Sequence, residues 1–94
     1  MEMTRSILMS ESGVCFLCQK RGTTECHHVF NGNPNRKRSE QYGLKIYLCD
    51  ACHRKVHADQ GLDDSVKAYV QEQAMKHYGW EVEDFSKIFG KNYI

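Results

Sequence analysis

The pattern of apolar and polar residues in the first half of the chain predicts two β-strands. Residues 23–30 contain two threonines, a valine and a phenylalanine, a composition typical of a strand. Residues 31–35 have the sequence NGNPN, whose turn-forming residues predict the loop of a long hairpin or an exposed flap. Residues 44–48 alternate apolar and polar side chains, which predicts a second strand that leads directly into Cys49.

The chain after Cys49 has the pattern of helices. Residues 50–57 contain no helix breaker, and Gly61 is expected to end the helix that begins there. Asp63 or Asp64 would then cap a longer helix through about Tyr78. The apolar positions of that helix recur at helical spacing and fall on one face: Val66, Tyr69, Val70 and Ala74.

The end of the chain predicts one more short helix, after Gly79 closes the long one. Its apolar residues, and those of the tail, are Trp80, Phe85, Ile88, Phe89 and Tyr93. We therefore divide the chain into an N-terminal arm (1–12), a core that carries the cysteines and most histidines (13–60), and a helical packing segment of the same domain (61–94).

Composition is typical of a small globular protein. The chain has 94 residues, of which 40% are hydrophobic and 27% charged. A chain of this length has a thin apolar core. No apolar run approaches the roughly 18 residues that a membrane span needs, and the N-terminus lacks the apolar stretch of a signal peptide. We therefore expect no membrane association and no export.

Five cysteines are the most unusual feature of so small a chain. Four of them form two C-x-x-C pairs, an arrangement that places four thiolates within reach of one tetrahedral zinc ion: Cys15, Cys18, Cys49 and Cys52. The alternative for such pairs is a redox motif, which predicts a single pair in a larger α/β sheet. The spacing therefore favours structural zinc, and Cys26 is expected to be a small buried hydrophobe.

Charge is unevenly distributed although the net charge is only +1. Residues 1–58 contain nine Lys and Arg against five Asp and Glu, a net +4, whereas residues 59–94 contain four against seven, a net −3. A basic half of this kind suits a polyanion, although a solvated surface is the simpler interpretation of charge alone. The basic residues that flank the cysteines and histidines are Lys20, Arg21, Arg36, Lys37, Arg38, Lys45, Arg54 and Lys55.

The histidines have the spacing of metal ligands. His53 and His57 are four residues apart on the predicted helix and therefore project from the same face. His27 and His28 are adjacent in a strand and must point to opposite faces, so one could bind an ion while the other acts as an acid or base. The competing interpretation makes some of them zinc ligands in Cys₃His sets or core residues. His77 is expected to be a surface or packing residue.

The ordered combination of these motifs resembles the HNH endonuclease family, and more narrowly the small HNH proteins of bacteriophages and prophages. The residues that carry the likeness are Cys15-x-x-Cys18, then Glu25-Cys26-His27-His28-Val29, then Tyr47-Leu48-Cys49-x-x-Cys52-His53-x-x-x-His57. The likeness covers residues 15–57, and the tail at 89–93 is also similar to that of phage members. It implies a small α+β fold with a ββα-metal, treble-clef-like core, a structural zinc site and C-terminal helices.

Carried over residue by residue, the resemblance implies two metal sites. The four paired cysteines would hold structural zinc, His27 would bind the catalytic ion and His28 would be the general base. His57 and His53 would complete the ligands of that ion. One position departs from the family, because its base-orienting asparagine is replaced here by Leu44. Candidates for that role are a backbone carbonyl, Asn31, Asn33 and Asn35.

The implied activity is metal-dependent hydrolysis of DNA phosphodiester bonds, by nicking or double-strand cleavage. The catalytic ion could be Mg²⁺, Mn²⁺, Ni²⁺ or Zn²⁺. A single site cuts one strand, so double-strand cleavage would need a homodimer or a partner. The resemblance also implies a phage or prophage protein in the bacterial cytoplasm that works beside DNA-packaging machinery.

The competing function is a non-catalytic zinc-binding module, with a degenerate HNH site, that binds DNA or a protein. Leu44 at the asparagine position favours this alternative. The histidines at metal-ligand spacing count against it, because structural zinc needs only the cysteines.

Overall fold

The computed structural model describes residues 5–32 and 34–94. Within them the chain forms two strands and four helices. In chain order these are β1 (Glu25–His28), α1 (Asn35–Tyr42), β2 (Lys45–Leu48), α2 (Asp50–Ala58), α3 (Gln60–Tyr78) and α4 (Val82–Phe89). The expected α+β class is therefore confirmed.

The two strands pair antiparallel, as expected, and both are shorter than the segments predicted for them. Glu25 lies opposite Leu48, and His28 lies opposite Lys45. The segment between the strands differs from the prediction, because a helix, α1, follows the turn. The sequence of α1 has no apolar stripe, so its periodicity carried no helical signal.

Helix α1 is held to the hairpin by a polar contact. The hydroxyl of the fully buried Ser39 donates to the Phe30 carbonyl at 2.6 Å and accepts from the Phe30 N–H at 3.1 Å. Gly43 ends the helix in the left-handed conformation, with φ of 71°. A Cβ at Gly43 would lie 2.3 Å from the Arg5 carbonyl oxygen, so only glycine fits there.

The boundary between α2 and α3 lies earlier than predicted. Helix α2 ends at Ala58, and the carboxylate of Asp59 caps α3 by accepting from the Leu62 N–H. Gly61 therefore lies inside the first turn of α3, where a glycine is tolerated, and Asp63 lies beyond the cap. The end of α3 is confirmed, because Gly79 adopts the left-handed conformation directly after it.

The core forms where the hairpin packs against α2, α3 and α4. Phe30 lies at its centre, with ring centroids 5.2 Å from Phe85, 4.9 Å from Phe89 and 5.1 Å from Tyr93. The apolar face predicted for α3 is buried at Val66, Val70 and Ala74, whereas Tyr69 is half exposed and lies beside Phe16. The C-terminal segment thus completes the core beneath the hairpin.

Both ends of the described chain are fixed to this core. The amide of the fully buried Gln71 donates to Asn92 Oδ1 and accepts from the Tyr93 N–H, each at 2.7 Å. At the other end, the Ile7 N–H donates to the Gly43 carbonyl and the Ser6 hydroxyl donates to the Lys45 carbonyl. The N-terminal arm is therefore docked from Arg5 onward, and residues 1–4 lie outside the described part.

None of the helices in residues 5–32 and 34–94 combines the length and the apolar character that crossing a membrane requires.

Truncation of Phe85 to alanine is expected to lower the free energy of unfolding by about 3–5 kcal/mol, because it removes a fully buried ring from the centre of the core. The matched control is Val82→Ala in the same helix, where the side chain is 37% exposed and the change should be within about 0.5 kcal/mol. Urea unfolding with zinc present measures both. Equal losses in the two variants would contradict this account of the core.

Candidate metal centres

The four paired cysteines come from two local structures that meet beside the hairpin. Cys15 and Cys18 lie in a tight turn before β1, closed by the N–H of Gln19 donating to the Cys15 carbonyl. Cys49 caps the N-terminus of α2, and Cys52 lies in its first turn. The N–H of Phe16 donates to the Tyr47 carbonyl at 2.8 Å and so joins the turn to β2.

The sulfur atoms have the separation of metal ligands. The four Sγ atoms all lie within 4.8 Å of one another, and those of Cys18 and Cys49 are 3.8 Å apart. Tetrahedral zinc with bonds of about 2.3 Å places two ligand sulfurs about 3.8 Å apart, whereas a disulfide requires about 2.05 Å. All five cysteines are free thiols. The four cysteines could therefore hold a structural ion such as zinc without a ligand of another type.

The thiols of this cluster cannot all ionise easily without a cation. Burial raises the pKa of Cys15, but backbone N–H groups of Cys18, Cys49 and Leu17 outweigh it and lower that pKa to about 6. Burial raises the pKa of Cys52 to about 12, helped by its hydrogen bonds to the other cysteines and by the charge of Cys15. A divalent ion would supply the positive charge that four neighbouring thiolates require.

Cys26 lies outside the cluster and is exposed, so the expectation that it is buried was wrong. Adjacent residues of a strand point to opposite faces. Because His27 takes the buried face of β1, Cys26 is left on the other one. The prediction failed because the composition of the strand does not show which face is covered.

Three histidines form a second cluster, which shares helix α2 with the first. His27 from β1 meets His53 and His57 from α2, and one ring nitrogen of each lies within 4.8 Å of the others. The Nε2 atoms of His53 and His57 are 3.1 Å apart. Tetrahedral zinc with bonds of about 2.0–2.1 Å separates two ligand nitrogens by about 3.3 Å. The spacing therefore suits zinc or another transition-metal ion.

His27 supplies the strongest sign that this second cluster binds a ligand. Its ring is 4% exposed, and its Nε2 is buried without a hydrogen-bond partner among the described residues. Burial, followed by the charges of His53 and His57, lowers the pKa of His27 to about 4. A neutral imidazole with an unpaired buried nitrogen is the form that binds a metal ion.

Glu25 was not predicted as a site residue, and it supports the histidine cluster. Its Oε1 lies 3.3 Å from His53 Nδ1, the nitrogen opposite the one that faces His57. A carboxylate in this position keeps the proton on Nδ1 and leaves Nε2 free to bind a metal. Its place two residues before His27, on the same strand face, was the available signal.

His28 points away from this cluster, as strand alternation predicted. Its Nε2 lies 2.9 Å from Glu40 Oε1, and the other oxygen of Glu40 accepts from Lys45 Nζ at 2.8 Å. Leu44 is fully buried and contributes only its backbone here, with its carbonyl accepting from the Val29 N–H.

The loop asparagines considered for the orienting role have other surroundings. Asn35 donates to the Phe89 carbonyl, Asn31 is exposed, and Asn33 lies outside the described residues. The described side chain that contacts the His28 ring is Glu40. The sequence did not reveal it, because α1 itself was not predicted.

Most of the basic residues are exposed around the two clusters. Those with exposed side chains are Lys20, Arg21, Arg36, Lys37, Arg54 and Lys55. Arg38 differs, since it is half-buried and its guanidinium donates to the Ile88 carbonyl. Arg54 and Lys55 lie on α2 between His53 and His57 and are the basic residues nearest that cluster in sequence.

Purified protein is expected to contain one tightly bound zinc ion per chain in the cysteine cluster. The Cys18→Ser variant should lose both the zinc ion and the folded structure, because a protein with a small core depends on a bound metal ion for its stability. Cys26→Ser is the matched control and should retain both. Metal analysis and circular dichroism measure the outcome, and absence of zinc from the wild-type protein would refute the cysteine site.

Zinc-loaded protein is expected to bind one further transition-metal ion at the histidines. His57→Ala should weaken the binding of Ni²⁺ by at least about tenfold. Loss of a residue that only hydrogen-bonds to a metal ligand already lowers the affinity by about that factor, and His57 is itself a proposed ligand. His77→Ala removes an exposed histidine of α3 and should leave the affinity unchanged. Calorimetric titration with Ni²⁺ measures both, and equal affinities would place the ion elsewhere.

Comparison of the chain with known proteins did not identify it. No family model, no curated protein and no solved structure matches it.

Proposed function

We propose that the chain is a metal-dependent HNH-type endonuclease that hydrolyses DNA phosphodiester bonds. The observation that carries this proposal is the histidine cluster. One ring nitrogen of His27 lies within 4.8 Å of a ring nitrogen of His53 and of His57, and the buried Nε2 of His27 has no hydrogen-bond partner among the described residues. The four paired cysteines could hold structural zinc without these residues. A second set of three ligands therefore suits an ion with another task.

The exposure of the cluster supports a catalytic ion. His27 is buried, His53 is half-buried and His57 is exposed, so the cluster opens to solvent on one side. Catalytic metal sites commonly have three protein ligands and keep a further position open, whereas structural sites are closed by four. The cysteine cluster corresponds to the closed type and the histidine cluster to the open type.

In the proposed mechanism, His27, His53 and His57 would hold the divalent ion. When bound, that ion supplies positive charge against the charge that develops on the phosphate and the leaving oxygen. His28 accepts a proton from the water that attacks phosphorus, the bond from phosphorus to the 3′ oxygen breaks, and the leaving oxygen takes a proton from solvent water. The exposed basic residues on α1 and α2 contact neighbouring phosphates, which positions the duplex without reading its sequence. The resemblance implies 5′-phosphate and 3′-hydroxyl products.

The wider context is also part of the proposal. Mg²⁺, Mn²⁺, Ni²⁺ and Zn²⁺ are the candidate ions, and nicking is the outcome expected of one site acting alone. Phage or prophage origin, a location in the bacterial cytoplasm and work beside DNA-packaging machinery all follow from the resemblance to the small phage HNH proteins.

The second candidate is a non-catalytic zinc-binding module. The observation in its favour is Leu44, fully buried where the family has the asparagine that orients the base. This alternative predicts that substitution of the histidines leaves the function intact.

Wild-type protein is expected to nick supercoiled plasmid when one of the four candidate ions is added. His28→Ala should lower the rate by about 100-fold or more, because general-base catalysis typically contributes that much. His77→Ala, carried through the same purification, should cleave like the wild type. Equal cleavage by wild type and His28→Ala would mean that His28 is not the base, and no cleavage with any ion would favour the binding module.

A further inference from the structure

We propose that Glu40 is the positioning residue of the general base, in place of the asparagine that this chain lacks. The inference depends on the proposed function, since it assigns the orienting role for His28 within that same site. Glu40 lies on α1, outside both metal clusters and outside the motifs that carry the resemblance.

The contact between Glu40 and His28 has a defined direction. Oε1 of Glu40 lies 2.9 Å from Nε2 of His28, and the two side chains are 28% and 15% exposed. A carboxylate accepts hydrogen bonds and does not donate them, so Nε2 of His28 carries the hydrogen. The lone pair is then on Nδ1, which is left as the ring nitrogen that can take a proton from water. Glu40 thereby selects both the tautomer and the rotation of the ring.

Lys45 balances the charge of this carboxylate. The Lys45 side chain is 2% exposed, and its Nζ lies 2.8 Å from Oε2 of Glu40. Lys45 is also the residue paired with His28 across the two strands. Glu40 therefore bridges two side chains that the strand register already places side by side.

The backbone beside Glu40 is anchored to the segment that follows β1. The neighbouring residue, Ser39, is fully buried and exchanges two hydrogen bonds with the backbone of Phe30, two residues after His28. A positioning residue on an anchored element can hold its partner within the narrow tolerance that catalysis needs. The unexpected helix α1 thus has a role, which is to deliver the carboxylate to His28.

The test must separate positioning from folding. Glu40→Ala alone leaves the Lys45 charge buried and unpaired, which destabilises the protein whatever the role of Glu40. We therefore compare the double variant Glu40→Ala/Lys45→Met with Lys45→Met, so that the two proteins differ only in the carboxylate. Zinc content and circular dichroism verify that both are folded.

Cleavage of a duplex oligonucleotide is expected to show a kcat about 10- to 100-fold lower for the double variant than for Lys45→Met, with KM within about twofold. Glu40→Gln, also made in the Lys45→Met background, keeps an oxygen that can accept from Nε2 of His28. Its kcat should therefore be close to that of Lys45→Met. Equal kcat values for the double variant and Lys45→Met would overturn the assignment.

The effect of Glu40→Ala in a protein that already lacks the His28 ring separates a positioning role from a structural one. In a His28→Ala/Lys45→Met background, addition of Glu40→Ala should change the rate by less than about twofold, because the base that it positions is already absent. A further tenfold loss in that background would show that Glu40 acts through folding or DNA binding and would overturn the proposal.

A spectroscopic measurement keeps this inference distinct from the proposed function. Nitrogen-15 spectra of the His28 ring should show the Nε2-protonated tautomer in Lys45→Met and a shift toward the Nδ1-protonated form after addition of Glu40→Ala. An unchanged tautomer would refute positioning by Glu40 even in an active enzyme. A wild-type protein that cleaves with none of the four ions would refute the proposed function and with it the catalytic meaning of the contact.

Discussion

The docking of α2 onto the β1–β2 hairpin is the constraint on which both clusters depend. One short helix and its N-cap residue supply two of the four cysteines and two of the three clustered histidines, and that N-cap residue, Cys49, directly follows β2. Val56, which lies between the two histidines in sequence, is 2% exposed and anchors the helix in the core. A change in how α2 sits on the hairpin would therefore disrupt the sulfur and the nitrogen cluster together.

The two clusters differ in composition and in exposure. The sulfur cluster consists of four cysteines, joins the N-terminal turn to α2 and could hold a structural ion such as zinc. Such an ion would act as the clamp that a chain with a thin core needs. The nitrogen cluster consists of three histidines, of which His27 is buried and His57 is exposed. Strand alternation separates the adjacent histidines, because His27 faces this cluster while His28 faces Glu40.

Local patterns predicted those features that depend on neighbours in sequence. The strands, α2, the end of α3 at Gly79 and the partners of the sulfur cluster all follow from spacing over a few residues. The errors have two causes. Helix α1 was missed because the contact that holds it, between Ser39 and Phe30, is tertiary. The α2–α3 boundary was misplaced because a local cap was assigned to the wrong aspartate, since Asp59 caps the helix.

By itself, the sequence determined which residues could be metal ligands, because C-x-x-C and His-x₃-His spacings are local geometry. It could not determine that Cys26 would be exposed, that Leu44 would be fully buried, or that Glu40 would reach His28. Glu40 and His28 are twelve residues apart, and their contact exists only after α1 packs on the hairpin. Only the tertiary structure decided that pairing, because it depends on how separate elements pack and not on the preferences of either segment.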